Sequence, residues 1–132
     1  MKRTAHARFA ITNWDEKPYS EGPDQPKMTR AAVTKTYTGD IAGGGHVEYL
    51  MMYAPDGSAT FVGLERITGT IADKSGSFVL QRTGVFAGGV AKESYVVVSG
   101  SGTGDLKSLR GEGTSAVGHG MEHPFTLQYE IG

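Results

Sequence analysis

The sequence predicts an all-β protein, a single eight-stranded antiparallel barrel closed on itself. Three observations carry that expectation. Runs of β-prone residues recur at short, regular spacing, and turn residues end each of them. Glycine supplies 20 of the 132 residues, about twice the usual share of roughly 7%, and lies between those runs rather than in a low-complexity tract. No segment of ten or more residues repeats apolar side chains at helical spacing. The length suits one domain, 1–132, and a chain of this size buries roughly two-thirds of its unfolded surface without needing metals or disulfides.

Residues 4–12 read as the first strand, and 13–27, which hold three of the five prolines, as an irregular stretch. Strands follow at 28–38, 46–53, 59–72, 77–87, 92–99, 110–117 and 124–131, with a short helical turn near 105–109. Pro55-Asp56-Gly57-Ser58 reads as a tight turn that sets Leu50 opposite Gly63 and Glu48 opposite Glu65. Asp73-Lys74-Ser75-Gly76 reads as another, setting Ile71 opposite Phe78, Gly69 opposite Leu80 and Ile67 opposite Arg82. Side chains alternate between faces along a strand. One face then carries Phe61, Gly63, Glu65, Ile67, Ile71, Phe78, Leu80 and Arg82, and the other Arg66, Thr68, Thr70, Val79, Gln81 and Thr83. The first set is the apolar one and should line the interior. The last strand alternates in the same style, with Phe125, Leu127, Tyr129 and Ile131 on one face.

This register places Glu48 and Glu65 across from one another on the apolar face, with Arg82 diagonal to Glu65 and Gly63, Gly69 and Gly84 leaving space. A slip of one residue would reverse every assignment. Two neighbouring carboxylates in an apolar barrel do not both ionise cheaply, so one pKa rises unless Arg82 compensates. A raised carboxyl is a usable general acid or base. The alternative is a structural Glu65–Arg82 ion pair that specifies register. Val47, Tyr49, Met51, Val62 and Leu64 fall on the opposite, outward face, too apolar for open water, and predict a homodimer.

Other motifs weaken on inspection. His119-Gly-Met-Glu-His123 matches H-x-x-E-H, but zinc chemistry needs that spacing on a helix, and glycines and a proline surround it. His6 and His46 lack metal-ligand spacing, so neither a metal nor a cofactor is expected. Gly100-Ser-Gly-Thr-Gly-Asp105 lacks the spacing and lysine of a phosphate loop and reads as a β-corner. There is no G-x-S-x-G. The chain has no cysteine, a net charge of −1 and no basic stripe, which argues against nucleic acid as partner. It shows neither a secretory leader nor 18 consecutive apolar residues, so a cytoplasmic, non-membrane protein is expected.

Several stretches together resemble a mainly bacterial family, the domain of unknown function 3224. These are Trp14-Asp15-Glu16, Thr60-Phe-Val-Gly-Leu-Glu-Arg-Ile-Thr-Gly69, Gly76-Ser-Phe-Val-Leu-Gln81, and Ser99-Gly-Ser-Gly-Thr-Gly-Asp-Leu106 with Leu109-Arg-Gly-Glu-Gly113. The resemblance spans nearly the whole chain and implies a barrel similar to that of allene oxide cyclase. On that barrel, cyclases and isomerases fold a flexible apolar substrate inside the lumen.

The function expected from these readings is capture of a small apolar molecule in the lumen, with cofactor-free isomerisation or cyclisation as its chemistry. Glu65 would be the general acid or base, Arg82 its partner or an oxyanion stabiliser, and Glu48 a modulator of the Glu65 pKa. Phe61, Ile67, Phe78, Leu80, Tyr95 and Tyr129 would shape the cavity. The rivals are a carrier without chemistry and a barrel packed solid.

Overall fold

The computed structural model describes residues 2–118 and 122–131, the Glu122 side chain excepted. Eight strands, β1 (Arg3–Gly22), β2 (Gln25–Gly39), β3 (Ile41–Tyr53), β4 (Ala59–Ile71), β5 (Lys74–Ala87), β6 (Val90–Val97), β7 (Leu109–Val117) and β8 (Glu122–Ile131), form a closed antiparallel barrel. Each strand pairs with its sequence neighbour, and β8 returns to β1. Closure leaves no open sheet edge within the barrel. Alternation decides the interior: Thr29, Ala31, Val33, Lys35 and Tyr37 of β2 are buried, while Arg30 and Thr36 between them face water.

The stretch 13–27 is not irregular. β1 runs on to Gly22 and pairs with β2 from Gln25 onward as a two-stranded ribbon. Among the described residues, β8 pairs with β1 as far as Ala10. Pro18 stands at a register break between Pro18 and Ser20, and a bulge is one of the settings in which a strand tolerates proline. Register breaks between Ile11 and Asn13, and this bulge shifts the alternation so that Trp14 and Glu16 join the lumen side. Trp14 Nε1, Thr29 Oγ1 and Tyr53 Oη all donate to the Glu16 carboxylate.

Two turns differ from expectation, with opposite consequences. The β3–β4 loop spans five residues, Ala54 to Ser58, closed by Ala54 N donating to Ser58 O at 2.8 Å. Its extra residue slips β3 by one: Val47 lies opposite Glu65, and Glu48 opposite Leu64. The faces of β3 exchange, so Val47, Tyr49 and Met51 point inward and Glu48 outward. The β4–β5 turn is only Ala72 and Asp73, both left-handed at φ 53° and 62°, the backbone of a tight hairpin. Ile67 therefore faces Phe78 instead of Arg82, a shift of four residues, which is even and leaves the expected faces of β4 and β5 intact.

One end of the barrel is sealed. The β6–β7 connection folds back over β5, where Ser101 and Thr103 bond the Val79 and Ser77 amides, and its 3₁₀ turn Gly104–Leu106 plugs Leu106 into the core. The polar groups of the Gly100–Asp105 loop are thus spent on the barrel wall. Ile41, Ile71, Phe78, Leu106 and Leu127 pack this half solidly, each almost fully buried. Among the described residues, no helix is long and apolar enough to cross a membrane.

Candidate lumen site

A charged cluster lies across the middle of the barrel, built from the inward positions of four strands. Glu65 of β4 accepts from Arg82 Nε of β5 at 2.5 Å, from Lys35 Nζ of β2 at 3.3 Å and from Tyr37 Oη at 2.7 Å. Arg82 also donates to Tyr37 Oη at 3.1 Å and to Glu93 Oε1 of β6 at 2.7 Å. Its guanidinium lies over the rings of Tyr95 and Phe125, 4.9 and 5.4 Å from their centroids. Glu65 and Arg82 have no solvent exposure at all. Burial pushes the Glu65 carboxyl up, but Arg82, Lys35 and the Tyr37 hydroxyl outweigh it and hold the group below the usual carboxylate range. Arg82 thus supplies the compensation that would otherwise leave a raised pKa, and Glu65 is an anion rather than a general acid. Lys35 moves down to about 8, through burial first and Arg82 second, against the opposing pull of Glu65 and Glu93.

Above this cluster the barrel opens into a cup of about 390 Å³. Phe9, Met51, Ala59, Phe61, Phe86 and Ala91 form much of its wall, with Trp14 and Ile11 at the lip. Lys35 and Glu93 bring polar atoms to its floor. Lys35 Nζ sits 4.5 Å from the Phe9 ring centre and 5.9 Å from that of Tyr49. Glu93 Oε2 is buried and has no hydrogen-bond partner among the described residues. Such a pocket, largely apolar with a few converging polar groups and within the roughly 300–1,000 Å³ of small-molecule sites, is the usual form of a ligand site.

The candidates read from sequence divide. Phe61 lines the cup. Glu65 and Arg82 come together beneath its floor, sealed from it. Ile67, Phe78 and Leu80 are packed in the closed half, and Tyr129 lies at that end beside the β2–β3 and β4–β5 turns. Tyr95 is structural: pairing between β7 and β8 is described only from Leu109↔Ile131 to Glu112↔Gln128, and its hydroxyl satisfies the Thr126 carbonyl above that stretch at 2.6 Å. Glu48 is not near Glu65. It lies outside, ion-paired with Arg30 and hydrogen-bonded to His46, because of the slipped β3 register. Nor do the glycines leave a void. A methyl on Gly63 would sit 2.7 Å from the Tyr49 ring, on Gly84 it would strike the Phe61 ring and Glu93, and on Gly69 the Ala42 backbone.

Lys35, Glu93, Tyr37, Tyr49 and Trp14 complete the site. Alternation could have found the first two, since Lys35 shares its parity with Ala31, Val33 and Tyr37, and Glu93 with Ala91 and Tyr95. His119 and the Glu122 side chain of the H-x-x-E-H match lie outside the described residues; the His123 ring packs tilted against that of Phe9, their centres 5.1 Å apart. Among the described residues no three His, Cys, Asp or Glu converge as metal ligands.

A family model described as a protein of unknown function (DUF3224) matches residues 5–129. A solved structure from Shewanella oneidensis MR-1, of a DUF3224-family protein with unknown function, is 24% identical and covers 100% of this chain and 99% of its own, with a TM-score of 0.80. At that identity the likeness speaks for the fold. No curated protein matches.

Proposed function

The chain belongs to the DUF3224 family, and from that premise we propose that its barrel is a receptor for a small, largely apolar molecule with one polar end. The observation that carries this is the cup, whose largely apolar wall includes two charged residues, Lys35 and Glu93. Binding without chemistry is the first reading, in the cytoplasmic setting expected of a cysteine-free chain. Cofactor-free isomerisation or cyclisation is the second, and the same floor favours it: Lys35 and Glu93, not the sealed Glu65, are the groups a substrate would touch.

Trp14, the only tryptophan, stands at the lip and reports occupancy. Octanol should change its emission saturably. Ala91→Phe, which fills the cup from the wall, should weaken that response at least about tenfold, or roughly 1.4 kcal/mol. An unresponsive wild type, or an Ala91→Phe protein that binds equally well, would overturn the reading. Turnover of any bound compound, lost on Lys35→Met or Glu93→Gln, would select the second reading over the first.

The homodimer is likewise a proposal, on a corrected surface. Leu50, Val62, Leu64 and Val96 are each about half exposed and adjoin across β3 to β6, with Gln81, Thr83 and Ser94 between them. None of these is charged, so a second copy meeting the same face about a two-fold axis meets no like-charge repulsion. Arg30, Glu48, Arg66, Lys92 and Glu112 stand around it with both signs of charge. Light scattering at micromolar concentration should give twice the chain mass, and Leu64→Glu should give the monomer. A monomeric wild type would refute it.

A further inference from the structure

Lys35 has three donors and, among the described residues, one acceptor, Glu65 Oε1 at 3.3 Å. Its ammonium also lies near the faces of Phe9 and Tyr49, feels the charges of Arg82 and Glu93, and belongs to a residue that lines the cup. Glu65 does not depend on it: with Lys35 neutral, the carboxylate still holds Arg82 Nε at 2.5 Å and Tyr37 Oη at 2.7 Å. The cluster can therefore lose the lysine proton without stranding a charge. The Glu93 carboxylate, whose Oε2 has no hydrogen-bond partner among the described residues, belongs to a residue that lines the same cup. An amine that can be neutral, set in a largely apolar cup that can hold a carbonyl compound, is the core of an imine-forming site.

We propose that Lys35 captures an apolar aldehyde or ketone in the cup as a reversible imine. This rests on the cup being a ligand site. The neutral Nζ attacks the carbonyl carbon, the C–N bond forms as the C=O π bond breaks, and the oxygen takes a proton to give the carbinolamine. The C–O bond then breaks, water departs, and nitrogen loses its remaining proton to leave C=N. The balance is amine plus carbonyl compound to imine plus water, with no redox partner required. The Lys35 pKa of about 8 supports this, since an appreciable share of the amine is then unprotonated near neutral pH.

The test uses octanal with sodium cyanoborohydride, which reduces the imine to a stable secondary amine, followed by peptide mapping. Label should appear on Lys35 at least about tenfold faster than on any other lysine, because binding holds carbonyl and amine together. Octanol should compete it away, and Lys35→Arg should abolish it. If octanol binds and Lys35 is not preferentially labelled in the wild-type protein, the imine is refuted and the cup reading stands. If octanol does not alter Trp14 emission, and label is no faster on Lys35 than elsewhere, both fall. The wild-type map alone decides the matter should the Lys35→Arg protein fail to fold.

Discussion

Glu65→Gln is expected to lower the folding free energy by about 3–5 kcal/mol, the loss typical of removing one partner from a buried ion pair. The amide keeps the size of the side chain and can still accept from Tyr37 Oη. It cannot neutralise Arg82 and Lys35, which would remain buried with Glu93 as their single carboxylate. Urea unfolding reads the loss as a lower midpoint. Arg82→Met should cost a similar amount, because it leaves Glu65 and Glu93 without their shared cation. The double substitution Glu65→Leu with Arg82→Met should then cost well under the sum of the single changes, since neither charge is stranded. The pH dependence has a definite sign. Glu65 is held below its ordinary carboxyl value, so its contribution is fully present above the unfolded-state pKa, near 4.5, and is lost as pH falls through the lower folded value. The acid arm of the stability curve should flatten in Glu65→Gln. An unchanged urea midpoint in the single variant would mean that the carboxylate does not neutralise the cluster.

How far the sequence carries such an argument depends on parity. The inward placement of Glu65 and Arg82 was legible because β4 and β5 alternate cleanly, and an error of four residues in their register preserves the faces. Glu48 was misplaced because a four-residue turn and a five-residue loop look alike around Pro55-Asp56-Gly57-Ser58, and one residue reverses every side chain of β3. The Ala72-Asp73 turn carries none of the glycine or asparagine that normally marks left-handed backbone, so the downstream glycine drew the turn too late. Pro18 and Pro26 masked the ribbon, since nothing local tells whether a proline will fall at a bulge or near a strand end, where a sheet tolerates it. Lys35 and Glu93 had the right parity and were passed over because lysine and glutamate are almost never fully buried unless paired. Their partners stand on other strands, and only barrel closure brings them together.

Stability should rise with pH from 7 to about 9.5, against the usual optimum between roughly pH 5 and 8. Lys35 titrates at about 8 in the folded barrel and at its ordinary 10.5 when unfolded. Between those values the unfolded chain holds a proton that the folded chain has released, so raising the pH favours folding. The difference, 10.5 − 8 = 2.5, corresponds to about 3 kcal/mol at 1.36 kcal/mol for each, of which about 2 kcal/mol is regained from pH 7 to 9.5. Lys35 is almost wholly buried, so solvent screening does not erode it. The groups facing it are Glu65 from β4, Arg82 from β5, Glu93 from β6, Tyr49 from β3 and Tyr37 of its own strand. The tyrosines set the upper bound. Burial raises Tyr37 and Tyr49, and burial with the Glu16 carboxylate raises Tyr53 to about 12, so all three stay protonated where unfolded tyrosines ionise. Above about pH 10 that difference destabilises the fold, and the curve should turn down. Urea midpoints at pH 7, 8 and 9.5 measure the rise, and Lys35→Met, which leaves Glu65 with Arg82 and Tyr37, should remove it. A wild-type profile flat across this window, or a rise that survives in Lys35→Met, would mean that the lysine keeps its proton in the barrel. An imine could then form there only at the cost of first removing it.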